Sequence, residues 1–248
     1  MVDLLAVGEV LLDVLAPPLE PGRAVHAPIG LRVGGTAANA ALAAVAEGAS
    51  AAVVARVGDD AAGALARETL RAAGVEPLLA VDPELPTGAF LAAGDALAAD
   101  RGASARLSPA DLPETLRAGV VLVSDYAPAA VAAAAAARAD AAWIAAGDGN
   151  ARFVHGEPGD LDALAARYRL VCVTLGPEGA VAALDGVVER RRPAERLPEP
   201  QPGAGDALAA VVLLALLRGL PLGEALERGV ARACAPRPRT GRRPAASQ

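Results

Sequence analysis

Lysine is absent from the 248 residues, and all 23 basic side chains are arginine. Any task that calls for a compact ammonium, such as that of a P-loop lysine, must fall to a guanidinium or to backbone N–H groups. Aromatic residues amount to 2%, which leaves little ring surface to stack a base and makes a nucleoside the less attractive substrate. With only two cysteines, Cys172 and Cys234, there is no disulfide framework, and neither joins His26 or His155 in a metal-ligand cluster. A reducing compartment is the natural inference. Positive charge is not in excess: the formal net charge is -6, so nothing favours nucleic acid as a partner. The apolar runs, including the 11 residues from Ala207, are too short to span a bilayer. The opening "MVDLLAVGEVLLDVLAPP" carries Asp3, Glu9 and Asp13 and no basic start, which argues against a signal peptide. The expectation is a soluble, cytoplasmic protein with neither nucleic acid nor membrane as partner.

What the chain does have is alternation. Its length suits one α/β domain, residues 1–248. "LLAVGEVLLDVL" reads as strand, "TAANAALAAVAEG" as a helix ended by Gly48, "AAVVARVG" as a buried strand, and "AAGALARETLRAAGV" as an amphipathic helix. Further on, "ADLPETLRAG" reads as helix, "VVLVSD" as strand, and the alanine-rich stretch from Pro128 to about Ala142 as helix again. "LDALAARYRL", "VCVTLG" and "GAVAALDG" then give helix, strand and strand. Such alternation means a largely parallel sheet covered on both faces, with ligands at the carboxyl ends of its strands. Two segments rich in Pro and Gly, about 14–33 and 84–103, interrupt it as short strands projecting from the body. The terminal "PRPRTGRRP" has no apolar residues to build a core with, so 236–248 is expected to be a disordered or divergent tail.

One stretch carries chemistry on its face. "PEPQPGAGDALAAVVLLALL" places Asp206 where a loop turns into a long apolar helix. Asp206 could simply cap that helix. The three small residues before it, Gly203, Ala204 and Gly205, are also what lets backbone N–H groups converge on an anion. Residue by residue, both readings stand.

Several segments, in order, resemble the ribokinase (PfkB) family of carbohydrate kinases. "RVGGTAANAALAAVAEGASAAVVARVGDDAAGALARETLRAAGVE" is similar to the family's first signature, and "GAGDALAAVVLLALLRGLPLGEALERGVARA" to its second. "VTLGPEGAV" is similar to the family's nucleotide-binding strand and turn, and "GEVLLD" to its opening strand; the resemblance covers most of residues 3–234. It implies a ribokinase-like three-layer sandwich with a mostly parallel central sheet and a small β lid, and an ATP-dependent kinase that uses Mg²⁺. By the same resemblance Asp206 takes the proton from a sugar hydroxyl, while the amides of Gly203, Ala204 and Gly205 steady the phosphoryl group. Asp13, Gly34, Gly35 and Asn39 would hold the sugar, and Thr174, Gly176 and Gly179 would lie against ATP. The lid would close over the sugar, and in some members it makes a homodimer contact. The wording "GEVLLD" leans toward fructokinase and 2-keto-3-deoxygluconate kinase branches.

Departures from the family pattern qualify that reading. Where an "NxxE" motif supporting Mg²⁺ is expected, the chain has "ARFVHGEPGDL", with His155 in place of Asn and Glu157 one position early as the metal candidate. Residues between "AAWIAAG" and "DGNARF" look lost, "PQPGAGD" replaces the Thr-bearing form of the anion loop, and the end of the chain does not resemble the family's last strand. They motivate an alternative of another class, a catalytically impaired member that binds sugar or nucleotide without turnover. An NAD-binding oxidoreductase is poor by comparison, because "GAGDAL" lacks the third Gly of a dinucleotide fingerprint.

Overall fold

The computed structural model describes residues 1–20, 22–24, 26–157, 159–194 and 202–235; the tail expected over 236–248 lies outside them. The chain opens with β1 (Val2–Val7), β2 (Leu11–Ala16) and β3 (Gly30–Gly34), followed by α1 (Thr36–Ala46), β4 (Ala51–Gly58), α2 (Ala61–Ala72) and β5 (Val75–Asp82). Next come β6 (Thr87–Ala93), β7 (Ala96–Gly102), β8 (Leu116–Val123), α3 (Ala129–Arg138), β9 (Ala139–Asp140) and β10 (Trp143–Ala145). The last part holds β11 (Ala151–His155), α4 (Asp160–Ala165), β12 (Leu170–Thr174), β13 (Ala180–Leu184), β14 (Val187–Arg191), α5 (Ala204–Leu217) and α6 (Leu222–Cys234).

The central sheet runs β10-β8-β1-β4-β5, and every pairing in it is parallel. Its inner strands β1, β4 and β8 are mostly apolar, as burial on both faces requires, while the edge strand β5 alternates buried and exposed positions. Alternate residues go to opposite sides. Leu4, Ala6, Val53, Val120 and Leu122 face α1, α5 and α6, whereas Leu5, Val7, Val54, Val121 and Val123 face Val131 and Ala135 of α3. A second sheet, β11-β12-β13-β14, extends the layer: Leu170, Cys172 and Ala182 join the first core, and Val171 and Val173 pack with Leu161 of α4. Helices therefore cover both faces, giving the α/β sandwich. A third sheet, β3-β2-β6-β7, stands at the carboxyl end of β1 and combines antiparallel and parallel pairs.

Three stretches differ from the sequence reading. The helix over "ADLPETLRAG" is only a 3-10 turn, Pro109–Asp111, because Ser108 and Asp111 close a capping box and Asp111 also takes Arg56 at 2.6 Å. Leu116–Gly119 belong to β8. The alanine-rich helix stops at Arg138 rather than near Ala142: Asp140 pairs with Arg117 and Trp143 with Val120, so β9 and β10 are one strand in a single register, interrupted at residues 141–142. Pairing with the edge of β8 has overridden the helical preference of alanine. The helix over "LDALAARYRL" is shorter too, ending at Ala165.

Where residues looked lost, the chain turns straight from β10 into β11. Asn150 fastens the turn: its Oδ1 accepts the Ile144 N–H at 2.8 Å, its Nδ2 donates to the Ala142 carbonyl at 2.9 Å, and its own carbonyl takes the Leu170 N–H. One residue thus stitches the central sheet, through its side chain, to the second sheet, through its backbone carbonyl.

The small sheet is rooted on Asp60. That carboxylate caps α2 through the Gly63 N–H at 2.8 Å and receives both the N–H and the hydroxyl of Thr87, the first residue of β6, at 2.7 Å each. Burial alone would raise its pKa, but the hydrogen bonds from Gly63 and Thr87 outweigh burial and hold it below the ordinary carboxylate value. A lowered folded-state pKa adds stability above the unfolded value and loses it as pH falls through the folded one. Asp60→Ala should accordingly cost about 1–2 kcal/mol at pH 7, with the gap to the unsubstituted protein closing below about pH 4. Urea unfolding at several pH values checks this; a gap that stays constant with pH would show that the charge plays no part.

Candidate active site

The carboxyl ends of β8 and β10 and the start of β11 meet the first turn of α5 around one cleft. Its volume is about 90 Å³, and Thr36, Ser124, Asp125, Arg152, Gly205 and Asp206 are among the residues that line it. Asp206 lies in the first turn of α5, whose N-cap is Gly203 in a left-handed conformation (φ 78), a residue with no side chain of its own to cap that end. Asp206 is thus not the helix cap. The first amides of α5 have no intrahelical acceptor by construction, and they face the same end of the molecule as the Asp206 carboxylate.

The residues expected to hold a sugar converge on it from the other end of the chain. Asn39, in the first turn of α1, donates from Nδ2 to Asp206 Oδ2 at 2.9 Å. Asp13 on β2 is 3% exposed and accepts Arg32 Nε at 2.9 Å, Arg32 being its cross-strand partner on β3. Arg32 also donates to the Pro202 carbonyl at 3.3 Å, so one guanidinium ties the small sheet to the loop before α5. Gly34 packs against Asp13 so closely that a Cβ there would stand 2.3 Å from both carboxylate oxygens. Gly35, the N-cap of α1, completes the turn.

The residues expected near ATP stand on the second sheet. Thr174 ends β12, where its hydroxyl meets His155 Nδ1 at 3.1 Å and donates to the Val154 carbonyl at 3.3 Å. Gly176 opens a 3-10 turn that ends at Gly179, whose positive φ of 92 and closeness to the Arg191 carbonyl carry the chain into β13. Glu157 follows β11 with its backbone N–H on Asp160 Oδ2 at 2.9 Å and its side chain exposed. Among the described residues no three His, Cys, Asp or Glu side chains cluster as a metal cage. Mg²⁺ bound mainly through nucleotide phosphates needs only one or two carboxylates, and an exposed oxygen donor at this sheet edge fits that requirement.

Three further arginine and acid features were not picked out from sequence. Arg152, at the start of β11, lines the cleft and pairs with Asp125. Arg101 of β7 donates to the Tyr126 carbonyl just beyond β8. Glu9, immediately after β1 and Gly8, is 5% exposed, and burial pushes its carboxyl above the ordinary range. The position of Arg152 in "DGNARF", at the junction where residues look lost, is the one signal that pointed there. The Cys172 thiol is pushed up to about 12 by complete burial, so it takes no part as a nucleophile.

Comparison with known proteins gives this site its context. The pattern of the pfkB family carbohydrate kinases matches residues 1–166 and, separately, 118–246. The overlap spans the region where the chain turns directly from β10 to β11. Adenosine kinase from Sinorhizobium meliloti is similar in fold, with a TM-score of 0.77, 22% identity, and coverage of 94% of this chain and 92% of that one. A ribokinase from Arabidopsis thaliana, solved with ribose and ATP, gives a TM-score of 0.72 at 20% identity, covering 94% and 91%. For a putative ribokinase II from E. coli, solved with ATP and Mg²⁺, the values are 0.76 and 15%, covering 94% and 92%. Comparison with curated proteins gives no significant match. Among the described residues no helix is long and apolar enough to cross a membrane. The family pattern spans both halves of the fold and both ends of the cleft, and the chain belongs to the pfkB family of carbohydrate kinases, ATP-dependent phosphotransferases.

Proposed function

We propose that the protein phosphorylates a hydroxyl of a small sugar acid, with Asp206 as the base. The observation that carries this is the Asn39–Asp206 contact at the start of α5, which puts a carboxylate and a set of helix-start amides beside one cleft. Asp206 takes the proton of the acceptor hydroxyl as its oxygen attacks the γ-phosphorus in line, and ADP leaves. The amides of Gly203, Ala204 and Gly205 and the positive end of the helix offset the charge on the transferring group. Asp13, Gly34, Gly35 and Asn39 orient the sugar, and Thr174, Gly176 and Gly179 hold the nucleotide. Mg²⁺, with Glu157 as its carboxylate, would neutralise phosphate charge when bound.

Arg152 favours an acid over a neutral ketose such as fructose. Asp125 occupies part of its fork, and a guanidinium has five donors, so it can also take a substrate carboxylate in the cleft. ADP release should be measured with Mg-ATP against 2-keto-3-deoxygluconate, fructose, ribose and nucleosides. Release is expected with the sugar acid, and Arg152→Ala should raise its KM about tenfold or more with a smaller effect on kcat. Release with fructose alone, unaffected by that substitution, would remove the acid preference.

A second reading, a sugar- or nucleotide-binding member without turnover, is favoured by His155 standing where the family has Asn and by the lone exposed Glu157. Sugar-dependent thermal stabilisation with no ADP from folded protein would select it.

A further inference from the structure

Glu9 Oε2 is buried and has no hydrogen-bond partner among the described residues. An ionised carboxylate in that state is costly to bury, and a neutral acid far less so. Its neighbours come from each element packed against it. From β8, Ser124 bonds the Glu9 carboxyl, and the Ser124 hydroxyl oxygen also accepts the Tyr126 N–H at 3.1 Å. The Tyr126 carbonyl in turn accepts Arg101 from β7. Burial is the largest influence on Glu9 and favours the neutral acid; the hydrogen bonds from Ser124 and from the Glu9 backbone N–H oppose it without overcoming it, the charge of Asp206 on α5 adds to it, and Arg101 acts in the opposite sense. The turn at Gly35 presses only backbone against the Glu9 carbonyl and brings no titratable group. Ser124 and Asp206, which both act on Glu9, line the cleft.

We infer that Glu9 is a positioning residue for the transfer: a neutral carboxylic acid that fixes the Ser124–Tyr126 turn beside Asp206 and links it to Arg101 of the small sheet. The inference rests on the kinase reading above. Its charge state matters because an ionised Glu9 would place a second negative charge next to Asp206, in a site that must also admit a charged phosphoryl group.

The test uses the full chain with Glu9→Gln and Glu9→Ala, measuring kcat and KM against pH with the sugar that releases ADP. Gln reproduces the shape and neutrality of the acid, so that variant should keep kcat within about threefold at pH 7 and lose any alkaline fall in rate caused by Glu9 ionisation, whereas Ala should lower kcat about tenfold or more. A Gln variant as impaired as the Ala variant would overturn the inference by showing that the charge is required. Two variants indistinguishable from the unsubstituted protein, pH profile included, would overturn it by showing a mere filler. A readout independent of turnover is carboxyl ¹³C NMR of glutamate-labelled protein, with the Glu9 signal assigned by its loss in Glu9→Gln. That signal should hold its protonated position at pH 7, and an ionised position overturns the inference. Absence of ADP release across the sugar panel defeats the kinase reading instead, and the NMR result still decides the state of Glu9.

Discussion

Asp206→Asn lowers kcat about a thousandfold, within the range that a positioned general base supplies, and leaves sugar KM within about threefold. The amide keeps an oxygen that can accept Asn39 Nδ2, the contact seen at 2.9 Å, so the local geometry survives while the proton acceptor is gone. In barrier terms the loss is about 4 kcal/mol. Steady-state kinetics with the active sugar measures both constants. A variant that keeps a tenth of the wild-type rate would leave Asp206 as a structural residue, and one that loses sugar binding together with rate would assign it to substrate holding.

The second large effect is on folding. Gly35→Ala should destabilise the protein by about 3 kcal/mol or more, from backbone strain and overpacking acting together. Gly35 has φ 89 and ψ 152, a region essentially closed to residues with a Cβ. An added Cβ would also lie 2.5 Å from the Glu9 carbonyl oxygen and 3.2 Å from the Leu11 nitrogen. Neither neighbour can yield, because Glu9 follows the buried β1 and Leu11 opens β2. The denaturation midpoint should fall with an unchanged m-value. A loss below about 1 kcal/mol would mean that the turn relaxes by a route the packing does not suggest.

The sheet and its ligand-bearing edge were legible because period and punctuation agree there. β1, β4, α1, α2 and α5 are each bounded by Gly, Pro or a change of pattern, and the apolar strands carry their burial in their composition. The Asp206 motif was legible for a similar reason, since three small residues before an apolar helix leave few structural options. Residues 139–145 were not, because alanine at the end of a helix and alanine in an edge strand look alike until β8 offers its edge. Arg152 and the lid arginine Arg101 were hidden for another reason. Arg152 and Arg101 act through Asp125 and the Tyr126 carbonyl, partners 27 and 25 residues away whose proximity is a product of strand order. Glu9 sat within a motif that drew attention to Asp13, and nothing local marks which of two nearby acids will bury a carboxyl oxygen that no described residue bonds.

α5 is at once the most thoroughly buried helix, Ala207–Ala215 being enclosed without a break, and the element whose first turn carries Asp206. The body of such a helix cannot loosen without opening the core it shares with α1, α6 and the sheet, and the partly exposed turn that carries Asp206 is held in place by that body. Weakening the core is therefore expected to cost the chemistry as well as the fold.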